Sequence, residues 1–102
     1  MKQKIAILGS TGSIGKSLLK ILSRDKNKFQ IDLLTANKNY KSLLKQAKKF
    51  KVKNIIITDK KFYNIAKIKN NKSKIKIFNN YENFDKIFPK KIDYVMSSIV
   101  GL

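Results

Sequence analysis

The stretch that most constrains the fold lies near the start of the chain, where residues 5 to 19 read IAILGSTGSIGKSLL. Gly9, Gly12 and Gly15 follow an apolar run at three-residue intervals and precede an amphipathic one. At a strand-to-helix turn, Gly9 permits a conformation that a β-carbon would obstruct. Gly12 leaves the helix start open, and Gly15 allows close packing on the strand. The spacing therefore predicts a turn whose free N–H groups face a diphosphate.

Hydroxyl groups surround these glycines, and Ser10, Thr11 and Ser13 are predicted to donate to phosphate oxygens. A P-loop is excluded because the glycine spacing is wrong and Lys16-Ser17 follows a single Ile-Gly. A glycine triplet alone also occurs in purely structural turns. Its position after a strand and before a helix is what favours phosphate binding.

Strands and helices are predicted to alternate along the whole chain. The predicted strands are Lys4–Leu8, Gln30–Thr35, Asn54–Ile57, Lys74–Phe78 and Asp93–Ser97. The predicted helices are Ser13–Ser23, Tyr40–Phe50, one from an Asp59 cap to about Ile68, and a short one at Tyr81–Phe88 before Pro89. The alternation predicts an α/β fold, a Rossmann-like three-layer αβα arrangement with a mainly parallel sheet. It stops just past a core strand, so we expect the domain to be incomplete.

Helical spacing also predicts which side chains face the sheet. In the first helix these are Ile14, Leu18, Ile21 and Leu22, and in the second they are Leu43, Leu44, Ala47 and Phe50.

The composition excludes several kinds of chemistry. The 102 residues include no histidine, no cysteine and six carboxylates, which rules out a zinc site of His or Cys ligands and any Ser–His or Cys–His nucleophile. We therefore expect neither a catalytic residue nor a metal ligand in this chain. Apolar runs are too short for a membrane span and no signal peptide is evident, so a cytoplasmic location is predicted.

The formal net charge of +18 raises nucleic acid or an anionic membrane as a partner. However, Arg24 is the only arginine and the lysines are spread evenly. Phosphate and base recognition favours the bidentate guanidinium group. A solvated lysine surface is the favoured interpretation, with no nucleic acid or membrane partner; a basic nucleic-acid-binding module remains an alternative.

The end of the second predicted strand indicates which coenzyme binds. NAD-binding domains place an acidic residue there for the ribose hydroxyls. Here the sequence reads Thr35-Ala36-Asn37-Lys38-Asn39, and Asp32 comes three residues too early. A lysine flanked by amides would instead attract a 2′-phosphate. We therefore predict NADPH, with Lys38 at the 2′-phosphate and Asn37 and Asn39 donating beside it.

Three segments together resemble the 1-deoxy-D-xylulose 5-phosphate reductoisomerase family: ILGSTGSIG, LTANKN and VMSSIVGL. The family often carries glycine where Asn37 stands, a mild departure because Asn tolerates positive φ. The resemblance runs along the whole chain. It implies that residues 1–102 are the N-terminal portion of a dinucleotide (NADPH)-binding domain, with the catalytic and C-terminal domains absent from this chain.

The resemblance implies an NADPH-dependent oxidoreductase of non-mevalonate isoprenoid biosynthesis. It would convert 1-deoxy-D-xylulose 5-phosphate to 2-C-methyl-D-erythritol 4-phosphate, with Mg²⁺ or Mn²⁺, as a homodimer when complete. The metal ligands would lie beyond this chain, which alone would bind NADPH weakly and not catalyse. Carried over by motif, the cofactor-binding residues are Thr11, Gly12, Ser13 and Ile14 at the diphosphate and Asn37, Lys38 and Asn39 at the adenosine end. Ser97 and Ser98 would lie near the nicotinamide.

Two other functions stay open from the residues alone. Another NADP-dependent Rossmann reductase, such as a semialdehyde dehydrogenase-like enzyme, would need a cysteine and a histidine further along. A fragment that binds nothing is the remaining possibility.

Overall fold

A computed structural model of the chain describes residues 3–25, 27–70, 73–81 and 94–97. The strands are β1 (Gln3–Leu8), β2 (Phe29–Ala36), β3 (Asn54–Ile57), β4 (Lys76–Phe78) and β5 (Tyr94–Ser97). The helices are α1 (Ser13–Ser23), α2 (Tyr40–Phe50) and α3 (Lys60–Lys69). The strands form one sheet in the order β4-β3-β2-β1-β5, and each described pair of neighbours is parallel. This confirms the Rossmann-like α/β prediction. The helix predicted at Tyr81–Phe88 lies, apart from Tyr81, outside the described residues.

The three helices cover one face of the sheet. From β1 to β4 the chain moves across the sheet in one direction, and right-handed crossovers then place every connecting helix on the same side. The packing agrees, because Leu22 of α1, Leu43 of α2 and Ala66 of α3 join one buried cluster with alternate residues of the strands, such as Ile7 and Ile55. The opposite face carries a smaller cluster of Ala6, Leu33 and Ile56, with Leu8 and Phe78 against it.

β2 contains an irregularity that the sequence analysis did not predict. Ile5 of β1 pairs with Ile31, whereas the next residue, Ala6, pairs with Leu33, so the register shifts at Asp32. An extra residue in one strand reverses the alternation beyond it. As a result Ile31 and Leu34, three residues apart, both face the helices. Without the bulge, Ile31 would share a face with Leu33, which instead belongs to the smaller cluster on the opposite face.

The predicted buried face of α1 is wrong in two positions. Ile14 and Ile21 are 50% and 58% exposed, while Gly15, Leu19 and Leu22 face the sheet. Helix rotation is set by Gly15, which has no side chain and lies against the loop backbone. Leu19 and Leu22 then follow Gly15 at helical spacing. In α2, by contrast, Leu43 and Ala47 are buried, and Leu44 and Phe50 pack against the core as predicted.

Local side chains close the N-termini of α2 and α3. The Asp59 carboxylate accepts a hydrogen bond from the Phe62 backbone N–H at 3.2 Å, which confirms the predicted cap. The Asn39 side-chain oxygen accepts one from the Ser42 N–H at 3.4 Å. Both interactions stabilise a helix start by satisfying an N–H group that lacks a partner within the helix. No helix in the described parts of the chain is long and apolar enough to cross a membrane.

Candidate functional site

The glycine loop joins β1 to α1 at the carboxyl edge of the sheet, where α/β proteins bind their ligands. Gly9 has φ of 75°, a left-handed conformation that favours glycine. Its N–H donates to the Thr35 hydroxyl oxygen at 2.9 Å, and the Ser10 N–H donates to the Thr35 carbonyl at 2.9 Å. The Tyr81 hydroxyl lies 3.0 Å from the same Thr35 oxygen. The loop is therefore attached to the end of the neighbouring strand.

The glycines at positions 12 and 15 have different steric environments. A β-carbon on Gly15 would lie 2.5 Å from the Ser10 Cα and 2.6 Å from the Gly9 carbonyl oxygen, which real contacts do not reach. A β-carbon on Gly12 would meet the Gly9 carbonyl oxygen at 3.7 Å, an ordinary contact. The fold thus requires glycine at 15. At position 12 the fold leaves room for a side chain, and Gly12 is exposed to solvent.

Ser10 does not have the role that the sequence predicted. Its side chain is fully buried and its hydroxyl donates to the Gln46 side-chain oxygen at 2.8 Å. A phosphate outside the loop could not reach this hydroxyl, so the prediction that Ser10 donates to phosphate is wrong. Thr11 is half-buried and Ser13 is exposed, which leaves their hydroxyls at the surface of the loop.

The start of α1 differs from the other two helix starts. Gly12 occupies the N-cap position, and no side chain caps the first turn. As in α2 and α3, the first turn contains no acidic residue. Backbone N–H groups at an uncapped helix start, with the partial positive charge of the helix dipole, form an environment that stabilises an anion. Ile14, half exposed beside these groups, adds an apolar surface to the mouth of the loop.

The second candidate loop connects β2 to α2 and lies beside the first because β1 and β2 are adjacent. Asn37, Lys38 and Asn39 are all exposed. The Asn37 side-chain oxygen accepts a hydrogen bond from the Thr58 hydroxyl at 2.8 Å, and Asn39 caps α2 through its own oxygen. Both contacts use amide oxygens, so the amide nitrogens are the atoms that can donate to an anion. The seven predicted cofactor-binding residues thus come together at one edge; their individual contacts to a ligand stay predictions.

Asp32 lies away from this edge, at the bulge in the first half of β2. Its carboxylate accepts a hydrogen bond from the Gln30 side-chain nitrogen at 2.7 Å. It also lines a cavity of about 480 Å³ at the amino edge of the sheet, together with Phe29, Phe50 and Lys51. This cavity therefore lies at the opposite edge of the sheet from the glycine loop. Because Asp32 is at that edge, the β2–α2 loop contains no carboxylate.

Two further positions concern the outer parts of the site. Ser97 ends β5 in register with Leu8 of β1, so the ends of these two strands are level; Ser98 lies outside the described residues.

Among the residues that the structure describes, no group of three or more His, Cys, Asp or Glu side chains could hold a metal ion.

Sequence reasoning missed the residues that position the glycine loop, namely Thr35 and Gln46. Gln46 lies at helical spacing between Leu43 and Phe50, on the face of α2 that turns toward the core. A polar amide at such a position usually has a specific hydrogen-bond partner, because burying it unpaired costs free energy. That pattern could have identified Gln46 but not its partner.

Comparison with known proteins gives a consistent result. The 1-deoxy-D-xylulose 5-phosphate reductoisomerase family matches residues 5–102. The reductoisomerase of Pelagibacter ubique (strain HTCC1062) is 54% identical over 101 residues, covering 97% of this chain and 26% of that protein. That of Porphyromonas gingivalis (strain ATCC 33277) is 35% identical over 102 residues, covering 99% of this chain and 26% of that protein.

Solved structures of such reductoisomerases share the fold. The enzyme from Zymomonas mobilis in complex with NADPH matches with a TM-score of 0.85 at 31% identity, covering 99% of this chain and 27% of that one. A reductoisomerase in complex with NADPH, fosmidomycin and magnesium matches with a TM-score of 0.83 at 31% identity, over 97% of this chain and 25% of that one. The chain spans about a quarter of the length of these relatives.

Proposed function

Since the chain belongs to the 1-deoxy-D-xylulose 5-phosphate reductoisomerase family, we propose that it forms the first part of that enzyme's NADPH-binding domain. In this proposal residues 1–102 are the N-terminal portion of the domain, and the catalytic and C-terminal domains belong to other parts of a longer protein. The observation that carries the proposal is the uncapped start of α1 behind the glycine loop, next to a basic loop without a carboxylate.

The glycine loop would hold the cofactor diphosphate. Gly12 lines this site without a side chain, and its own N–H already donates to the Gly9 carbonyl at 3.3 Å. The donors are the backbone N–H groups of Ser13 and Ile14, together with the hydroxyls of Thr11 and Ser13. They require no rearrangement to meet an anion, because no side chain caps the helix start. The partial positive charge of the helix dipole adds to the attraction.

The loop after β2 would hold the adenosine 2′-phosphate. Lys38 supplies the positive charge, and Asn37 and Asn39 supply amide N–H donors on either side of it. Thr58 and the first turn of α2 fix the amide oxygens, so the two nitrogens are oriented before a ligand arrives. A 2′-hydroxyl has no charge to pair with Lys38, and the site therefore favours NADPH over NADH.

The complete enzyme would convert 1-deoxy-D-xylulose 5-phosphate to 2-C-methyl-D-erythritol 4-phosphate, as a cytoplasmic homodimer that needs Mg²⁺ or Mn²⁺. NADPH, when bound, supplies the hydride for the reduction. The residues of this chain bind and orient the cofactor without taking part in bond making. Support comes from a solved reductoisomerase structure that contains NADPH, fosmidomycin and magnesium together. We assign the metal ligands to the part of the enzyme beyond this chain.

Titration of the 102-residue chain with NADPH and NADH tests the proposal. We expect NADPH to bind more tightly at physiological salt, and Lys38→Glu to weaken NADPH about thirtyfold with little effect on NADH, because one charge-assisted contact is replaced by repulsion. Lys48→Glu, the same charge change further along exposed α2, is the matched control and should leave the ratio unchanged.

Three outcomes would contradict the proposal. The chain could bind both coenzymes equally, Lys38→Glu could weaken both to the same extent, or the chain could bind oligonucleotides and neither coenzyme. The last outcome, with an affinity that falls steeply as salt rises, would instead support the basic nucleic-acid-binding module.

A further inference from the structure

We propose that Gln46 is a positioning residue: it holds the glycine loop in the conformation that receives the cofactor diphosphate. The inference rests on the proposed NADPH site. Gln46 belongs to α2 and lies 36 residues from the loop along the chain. Its side-chain amide hydrogen-bonds to Ser10 of the loop, so it can act on the cofactor site without touching the cofactor.

The contact is a reciprocal pair of hydrogen bonds between Gln46 and Ser10. The Ser10 hydroxyl donates to the Gln46 side-chain oxygen at 2.8 Å, and the Gln46 side-chain nitrogen donates to the Ser10 carbonyl at 2.9 Å. One amide thus satisfies both a buried donor and a buried acceptor. A carboxylate lacks the donor and an ammonium group lacks the acceptor, so glutamine is matched to this pair.

Ser10 is held from three directions. Its N–H donates to the Thr35 carbonyl of β2 at 2.9 Å. Its Cα lies so close to Gly15 that a β-carbon there would be at 2.5 Å. Gln46 holds the remaining hydroxyl and carbonyl. Thr11 and Gly12 follow directly in the chain, and the position of Ser10 therefore sets where the first phosphate-binding groups lie.

The adenosine half of the site has its own anchors. Asn37 contacts Thr58 and Asn39 contacts Ser42, and neither contact involves Gln46. Loss of the Gln46 hydrogen bonds should therefore disturb the diphosphate half and spare the adenosine half. This asymmetry separates a positioning role from general stabilisation of the fold.

The binding experiment compares NADPH with 2′-AMP, which contains the adenosine end without the diphosphate. Gln46→Met keeps the length of the side chain and removes both hydrogen bonds, whereas Gln46→Glu keeps the acceptor and removes the donor. We expect the Kd for NADPH to rise about tenfold in both variants, as for loss of a buried hydrogen bond, and the Kd for 2′-AMP to change less than about twofold. Gln30→Met, at the amino edge of the sheet, is the matched control.

Amide hydrogen exchange gives a second readout that needs no cofactor. In Gln46→Met the Ser10 N–H should exchange about tenfold faster, because its bond to Thr35 opens more often when Ser10 is held less firmly. The Val52 N–H, bonded to Ala47 at 2.8 Å beyond the end of the same helix, should keep its rate. Circular dichroism of each variant establishes that it is folded.

The outcomes separate the inference from the proposed function. If the unmodified chain binds NADPH and the variants lose NADPH and 2′-AMP affinity equally, or lose neither, the positioning role is refuted and the NADPH site stands. If the unmodified chain binds no NADPH, the proposed NADPH site is refuted, and with it the effect of Gln46 on cofactor affinity. Unchanged exchange at Ser10 in Gln46→Met would refute the role of Gln46 in holding the loop, whatever the cofactor result.

Discussion

The starts of α1 and α3 lie at the same edge of the same sheet and differ in how they are completed. At α3, the Asp59 carboxylate accepts the Phe62 N–H, a contact between residues three apart. At α1, Gly12 offers no side chain, and the loop before it is held by Thr35 and Gln46, which are distant in the sequence. A helix that serves only the fold completes its own N-terminus. α1 leaves its donors open and depends on tertiary contacts to keep them in place.

Among the substitutions that test this difference between α1 and α3, we expect the largest effect at Gly15. Gly15→Ala would place a β-carbon within 2.7 Å of three backbone atoms of Gly9 and Ser10. Because backbone cannot move aside as a flexible side chain can, we expect the free energy of unfolding to fall by about 3 kcal/mol, despite the better helix propensity of alanine. Urea denaturation measures this.

Gly12→Ala is the control for Gly15→Ala, since its β-carbon would meet only an ordinary contact at 3.7 Å. Its effect on unfolding should stay below about 1 kcal/mol, the cost of a poorer N-cap residue. Equal stability of the two variants would show that the close approach at Gly15 is not required.

Gly12→Asp would convert the start of α1 into one that resembles the start of α3. The backbone at Gly12, with φ of −74° and ψ of 173°, accepts any residue in the N-cap position. We expect stability to rise by about 0.5 kcal/mol from the added cap and the affinity for NADPH to fall about thirtyfold, because a carboxylate occupies the donors and repels the diphosphate. Isothermal titration measures the affinity, and undiminished binding would place the diphosphate elsewhere.

Asp59→Ala makes the reverse change at α3. Removing the cap should destabilise the chain by about 1 kcal/mol and leave NADPH affinity unchanged, because α3 contributes no predicted contact to the cofactor. Asp59→Asn, which keeps an oxygen acceptor, should retain most of the stability. If Asp59→Ala weakened NADPH binding selectively, the division between a structural and a ligand-binding helix start would not hold.

The smallest effect concerns Lys51, which ends α2 at the amino edge with φ of 57°. This left-handed conformation is strained for lysine and free of strain for glycine, although glycine loses more backbone entropy on folding. Lys51→Gly should therefore stabilise the chain by about 0.5 kcal/mol, as measured by thermal unfolding, without changing NADPH affinity. Lys53→Gly, which lacks a positive φ, should be neutral or destabilising.

Much of the fold follows from short-range patterns. The bounds of α1, α2 and β3 agree with the prediction, because apolar spacing and caps such as Asp59 are properties of adjacent residues. β4 begins at Lys76 where the alternating pattern suggested Lys74. A strand extends only as far as its neighbour offers pairing, and that limit is not visible in the strand's own sequence.

The errors in the candidate site share one cause. Ile14 was predicted to face the core and is half exposed, while Ser10 was predicted to face phosphate and is buried against Gln46. Both predictions used local spacing alone. The rotation of α1 and the direction of the Ser10 side chain depend on how closely Gly15 approaches the loop, which is a contact between two elements.

Short stretches of the sequence are sufficient to predict the alternation of strands and helices, the glycine turn between the first two, and the acid-free basic loop after the second strand. These depend on periodicity and on residue types next to each other in the chain. The folded chain was needed to show that Thr35 and Gln46 hold the loop, that Asp32 occupies a bulge, and which hydroxyls stay at the surface. Such contacts form when distant segments meet, and their energies depend on a geometry that no local pattern contains.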